Sequence, residues 1–165
     1  ILMKNRDYTL ILDKSGSMST PDMPGGKTRW AYAEESTMAL ARKCEQFDPD
    51  GITVYMFSSR FRRYDDVTAE KVAQIFLEND PVGTTNLAAV LTDATNQYFQ
   101  RKASGQGKPE GETILVVTDG EPDDRRAVME VIIEATRRMD RDEELAISLI
   151  QVGSDAGASK FLQAL

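Results

Sequence analysis

The sequence predicts an α/β protein: a doubly wound, mostly parallel sheet with helices on both faces and one antiparallel edge strand. Three observations lead there. Short runs rich in Val, Ile and Leu recur along the 165 residues, amphipathic segments separate them, and one polar run follows an apolar one almost directly. Strands covered on both faces lose the apolar–polar alternation of half-exposed ones, and alternation with helices calls for right-handed crossovers in a single sheet.

Tyr8–Asp13 is the first strand, a continuous apolar run that ends on a carboxylate. Thr20–Lys27, with two prolines and two glycines, reads as an exposed loop. In Arg29–Phe47 the set Trp30, Ala33, Thr37, Leu40, Cys44 and Phe47 recurs at three-four spacing, a core-facing helical stripe. Ile52–Ser58 is a second buried strand, and the polar Arg60–Val67 is its antiparallel hairpin partner on a sheet edge. Ala69–Glu78 is a shorter amphipathic helix, and Leu87–Gln100 carries Leu87, Leu91, Ala94 and Tyr98 on one face. After the loop Ala103–Gly111 comes the strand Thr113–Asp119. The helix Asp124–Met139 follows, with Val128, Val131, Ile132, Ala135 and Met139 inward and Asp123 placed to cap its start. Leu145–Gly153 is the last strand.

A composition of 41% hydrophobic and 28% charged residues fits one domain over 1–165 with a sizeable core. No apolar run approaches the roughly 20 residues of a membrane span, and no signal-peptide pattern opens the chain. The single cysteine, Cys44, cannot form an internal disulfide; on the apolar stripe it reads as a core thiol rather than a nucleophile. A net charge of −7 argues against general binding of nucleic acid or anionic membranes, and Arg60, Arg62 and Arg63 read as a solvated edge. The absence of histidine removes Ser-His-Asp and Cys-His nucleophile pairs, histidine general bases and histidine zinc ligands together.

The chemistry sits in Asp13-Lys14-Ser15-Gly16-Ser17, on the loop that leaves the first strand. Side chains two apart in an extended segment point the same way, so Asp13, Ser15 and Ser17 can converge. Three hard oxygen ligands aimed together suit a hard divalent cation such as Mg²⁺ or Mn²⁺. Gly83-Thr84-Thr85-Asn86 and Val116-Val117-Thr118-Asp119-Gly120 offer further oxygens at comparable loop positions. In an open α/β sheet these positions meet in the crevice at the carboxyl ends of the strands. The bland readings are a helix cap for Thr85, a turn for Asp119-Gly120, and loop or helix-start capping for Asp13, Ser15 and Ser17. Glu121, Asp123 and Asp124 read as helix-start acids that favour the positive end of the helix dipole.

Taken in order, Asp13-x-Ser15-x-Ser17, Thr85 and Asp119-Gly120 resemble the metal-ion-dependent adhesion site of the von Willebrand factor type A family, with no ligand position missing. The resemblance implies that Ser15 and Ser17 bind Mg²⁺ directly (Mn²⁺ or Ca²⁺ as substitutes). Asp13 and Asp119 would act largely through water, and Thr85 by either route. An Asp or Glu of a partner protein would then fill an open coordination position. It implies a binding domain, not an enzyme, with no nucleic-acid or membrane partner. The family fold continues past the last strand, whereas only Ala156–Leu165 remains here, so a shortened domain, a fragment or a divergent member is expected. A missing last strand would expose a sheet edge and favour self-association or a partner strand. Lack of targeting signals and a near-absence of cysteine point to an intracellular, bacterial protein of the cytoplasm, or an extracellular one if the domain is part of a longer chain.

Two enzymatic readings and one inert reading compete. Gly25-Gly26-Lys27-Thr28 resembles the end of a phosphate-binding loop, but Pro21 stands where glycine is needed and no strand leads into it. A Mg²⁺-dependent phosphate-ester hydrolase of the haloacid dehalogenase type would want a second aspartate where Ser15 stands. The third reading is a scaffold with a vestigial metal site.

Overall fold

The structure, a computed structural model, describes residues 6–46, 51–119 and 124–152. In chain order it contains β1 (Asp7–Asp13), α1 (Arg29–Glu45), β2 (Ile52–Phe57), β3 (Phe61–Val67), α2 (Ala69–Glu78), α3 (Leu87–Ala103), β4 (Glu112–Thr118), α4 (Arg125–Arg138) and β5 (Leu145–Gln151). The strands form one sheet in the order β3-β2-β1-β4-β5. Among the described residues only β2 and β3 run antiparallel. The expected mixed sheet with an antiparallel edge is therefore present, and helices cover both faces.

Alternation along β1 sorts its side chains into two layers. Leu10 and Leu12 pack with Val54, Met56 and Val117 against α1 and α2. Ile11 packs with Tyr55, Phe57, Ile114 and Val116 against α3 and α4. Each such side chain removed from water contributes about 1.5–3 kcal/mol. Cys44 is a buried free thiol, as its place on the stripe suggested.

Several expectations shift in detail. The buried row of α1 is Arg29, Ala33, Thr37, Ala41 and Cys44, not the row through Trp30 and Leu40. Four-residue spacing from Arg29 to Ala41 leaves Trp30 and Leu40 half-buried at the flank of the helix, where the Trp30 ring lies 4.7 Å from that of Phe76. Phe47 lies outside the described residues. The cap of α4 is Asp124, whose carboxylate accepts from the Ala127 amide at 3.0 Å. Asp123, the expected cap, lies outside the described residues, as do Glu121 and Gly153. α3 continues to Ala103, and Thr95 and Phe99 stand beside Ala94 and Tyr98 on its buried face. Two 3₁₀ turns, Gly16–Ser19 and Pro24–Gly26, occupy loops that carry no periodic signal.

The amino ends of the strands are tied by a buried polar network. Arg6 donates to the Glu112 carbonyl at 2.8 Å and the Glu143 carbonyl at 3.0 Å. Glu144 accepts from the Tyr98 hydroxyl at 2.7 Å, from Lys102 at 2.7 Å, and from the backbone amides of Asp140 and Arg141. Burial pushes its pKa up, yet those donors outweigh it and hold Glu144 at about 2. Arg101 reaches one oxygen of Glu112, while its Oε2 is buried without a hydrogen-bond partner. Burial, against the pull of Arg101, pushes it up to about 7.

Glu112 therefore bears on stability near neutral pH. Its folded pKa lies above its unfolded value, so its contribution is complete below about pH 4.5 and lost as pH rises through about 7. Metal-free protein is expected to lose stability between pH 5 and pH 8, up to about 3 kcal/mol of it through Glu112. Glu112→Gln should flatten that slope in urea-unfolding midpoints measured in EDTA, and an unchanged slope would contradict the assignment. Glu144 titrates in the opposite sense, but below pH 4.5 and so outside this window.

Candidate metal centre

Parallel strands β1 and β4 end side by side, which brings Asp13 and Asp119 together at the carboxyl edge of the sheet. Asp13 is fully buried and Asp119 nearly so. The Ser15 amide donates to Asp13 Oδ1 at 2.7 Å, and the Thr118 hydroxyl donates to Asp13 Oδ2 at 2.8 Å. The Ser17 hydroxyl donates to Asp119 Oδ2, and the Ser15 and Ser17 hydroxyls lie 3.2 Å apart. Asp13, Ser15, Ser17 and Asp119 thus form one connected cluster, with Ser17 at its exposed rim.

Thr85 reaches the same edge on the loop that enters α3, and it too is buried. Its loop is bound to the first by backbone alone: the Gly16 amide donates to the Gly83 carbonyl at 3.0 Å and the Val82 amide to the Lys14 carbonyl at 2.8 Å. Lys14 and Asn86 in turn bond the carbonyls of Phe57 and Ser58 at the end of β2. Gly83 takes φ +90°, and a Cβ there would stand 3.3 Å from Ser58 Oγ, so glycine suits the crossing point.

The capping alternative is met at Asp13, which accepts the Ser15 amide, and not at Thr85 or Ser15. α3 is capped by Asn86, whose side chain accepts from the Ala89 amide at 3.3 Å, so Thr85 does not fill that role. Ser15 stands at the N-cap of the 3₁₀ turn but makes no side-chain cap bond. Its hydroxyl faces Ser17 instead. Asp119 ends the described segment, so the Asp119-Gly120 turn lies outside the described residues.

The electrostatics are those of a site short of positive charge. Burial and then repulsion from Asp119 push Asp13 up to about 6, although hydrogen bonds from Ser15 and Thr118 work the other way. One cation is already close by. Arg29, buried at the first residue of α1, places Nη1 3.3 Å from Asp119 Oδ2. It also donates through Nε and Nη2 to Asp22, at 3.0 and 2.8 Å. Neither Arg29 nor Asp22 was singled out from the sequence. A signal existed: Arg29 precedes Ala33, Thr37 and Ala41 by four, eight and twelve, on the buried row itself. A cation in a helix's first turn opposes the dipole, so its burial there requires acidic partners.

Two carboxylates and three hydroxyls are a hard oxygen set of the kind Mg²⁺ or Mn²⁺ takes. Among the described residues no three acidic or cysteine side chains converge, so hydroxyls would complete any such site. The residues present fit a divalent cation, because buried carboxylates and hydroxyls meet at one edge of the sheet.

The sequence profile of the von Willebrand factor type A domain matches residues 8–121. No curated protein matches the chain. Among solved structures, manganese-loaded TRAP protein of Plasmodium vivax is similar over 98% of this chain and 63% of its own, with TM-score 0.66 and 20% identity. BatB, a conserved hypothetical protein from Bacteroides thetaiotaomicron, is similar over 90% of this chain and 67% of its own, with TM-score 0.58 and 23% identity. Proximal thread matrix protein 1 from the mussel byssus is similar over 92% of this chain and 39% of its own, with TM-score 0.64 and 17% identity. This chain therefore spans less than two thirds of the first of these structures.

Proposed function

Because the chain belongs to the von Willebrand factor type A domain family, in which the domain often mediates protein interaction, we propose that it is a metal-dependent protein-binding domain. In this reading Asp13, Ser15, Ser17, Thr85 and Asp119 constitute the metal-ion-dependent adhesion site. A divalent cation held there, Mg²⁺ with Mn²⁺ or Ca²⁺ as substitutes, would supply an electrophilic bridge to an Asp or Glu of a partner protein.

The observation that carries the reading is the cluster itself, in which buried carboxylates and hydroxyls meet while Asn86 and the backbone do the capping. Asp13 and Asp119 supply charge, Ser15 and Ser17 supply neutral oxygens, the latter at the rim, and the laced loops hold them in place before any ligand arrives. Val82, 61% exposed on the loop bound to Lys14, offers a partner an apolar contact beside the charged one. A structural relative loaded with manganese agrees with this chemistry. Ser15 stands where a hydrolase of the haloacid dehalogenase type would want its second aspartate, which favours binding over that hydrolysis.

Thermal unfolding in Mg²⁺ against EDTA tests the site. With a dissociation constant of about 1 mM, about 10 mM Mg²⁺ should add about 1.4 kcal/mol, or about 3 °C in Tm. The shift should shrink at pH 5, because protons compete with metal for Asp13. Partner capture that survives EDTA would remove the bridge.

A further inference from the structure

We infer that Arg29 is the resident counter-cation of this site, a positioning residue that holds Asp119 when no metal is bound and sets how readily the site accepts one. The inference rests on the metal reading above. Asp119 Oδ2 accepts from both the Ser17 hydroxyl and Arg29 Nη1. An oxygen with two donors has both lone pairs engaged, so a cation, or the water it carries, that uses this oxygen must displace one of them. Ser17 lies at the rim and belongs to the ligand set, which leaves Arg29 as the group that yields.

Arg29 can yield because Asp22 retains it. The guanidinium's Nε and Nη2 face Asp22 while only Nη1 reaches Asp119, so the fork holds both carboxylates at once and can release one. Asp22 stands in the segment between the two 3₁₀ turns, and the Arg29 amide is bonded to the Thr20 carbonyl in that segment. What happens at Asp119 therefore reaches the loop over residues 20–28 through one side chain. Among the described residues, Asp119 and Asp22 are the charged groups in contact with the guanidinium.

Calorimetric titration with MgCl₂ of the wild type, Arg29→Gln and Lys27→Gln, beside melting curves in EDTA, tests this. Arg29→Gln is expected to bind Mg²⁺ about tenfold more tightly, the equivalent of one charge-assisted hydrogen bond relieved, and to melt lower in EDTA. Lys27→Gln removes the same charge from an exposed neighbour paired with Glu35 and should change affinity less than about twofold. Should Arg29→Gln fail to fold, Arg29→Lys replaces it: it keeps the charge but not the fork, and should bind about threefold more tightly. Unchanged or weaker binding by the Arg29 variants, with the wild type still binding, overturns the inference and leaves the metal site standing. An equal gain in Lys27→Gln overturns it too, since through-space charge would then suffice. Binding by Arg29→Gln alone supports both readings, and no binding by either protein up to about 20 mM Mg²⁺ overturns both.

Discussion

Asp13→Asn is expected to raise the melting temperature of the metal-free domain and to abolish its response to Mg²⁺. The two effects have opposite signs because the carboxylate is costly to the fold and necessary to the ligand. Buried against Asp119, Asp13 has its folded pKa at about 6, above its unfolded value. Its contribution to stability is thus complete below about pH 3.8 and lost as pH rises through about 6. At pH 7.5 the ionised form carries that cost in full. Asparagine removes the charge and still accepts from the Ser15 amide, while the Thr118 hydroxyl can rotate to accept from the new amide. A net gain of about 1 kcal/mol, or about 3 °C, follows in EDTA. Metal affinity should fall by about 100-fold or more, since one of two carboxylates is gone. A variant that melts lower than the wild type in EDTA would refute the account of strain, and one that still shifts with Mg²⁺ would refute the ligand role.

Gly111→Ala is expected to cost more than any substitution at the site. Gly111 takes φ +90°, and a Cβ there would lie 1.9 Å from the Glu144 carbonyl oxygen. Neither atom can retreat. The Glu112 amide bonds that same carbonyl at 2.8 Å, and the Asp7 amide bonds the Gly111 carbonyl at 3.0 Å, at the start of both β1–β4 and β4–β5 pairings. Relief of the clash means opening the ladder of two strands and the Arg6–Glu112–Glu144 network beside it. A loss above about 4 kcal/mol is expected, a large part of a typical domain's stability, with Tm lower by about 10 °C or more. Gly105→Ala is the matched comparison: φ +79° but nothing within 4 Å of the added Cβ. It should cost about 1 kcal/mol. Equal losses at both positions in denaturant unfolding would show that dihedral strain, not the contact with Glu144, is at work.

The strands were legible because burial on both faces leaves an unbroken apolar run, and Tyr8–Asp13 and Thr113–Asp119 could hardly be anything else. The cluster was legible for a local reason: Asp13, Ser15 and Ser17 lie within five residues, and the loop geometry follows from their spacing. Arg29 was not, because its role depends on Asp119, ninety positions away. A cation on an apolar row reads as the edge of a stripe until its partner is known. Ala33, Thr37 and Cys44 of the expected face of α1 are buried, whereas Trp30 and Leu40 give way to Arg29 and Ala41 for a related reason. Alanine at 41 and leucine at 40 compete for the same row, and close approach to the sheet, which favours the smaller side chain, is set by tertiary packing. The cap of α4 shifted from Asp123 to Asp124 because adjacent acids offer the same chemistry and composition does not choose between them.

The position of β1 has a mechanical consequence. It lies third of five strands, parallel to both neighbours, in register with Thr53–Phe57 of β2 on one side and with Glu112–Val117 of β4 on the other. Tension applied at Asp13 runs along the strand axis, so the hydrogen bonds on both flanks are loaded together in shear, none of them peeled open in turn. The domain is thus stiffest along the direction in which anything gripping its carboxyl edge would pull.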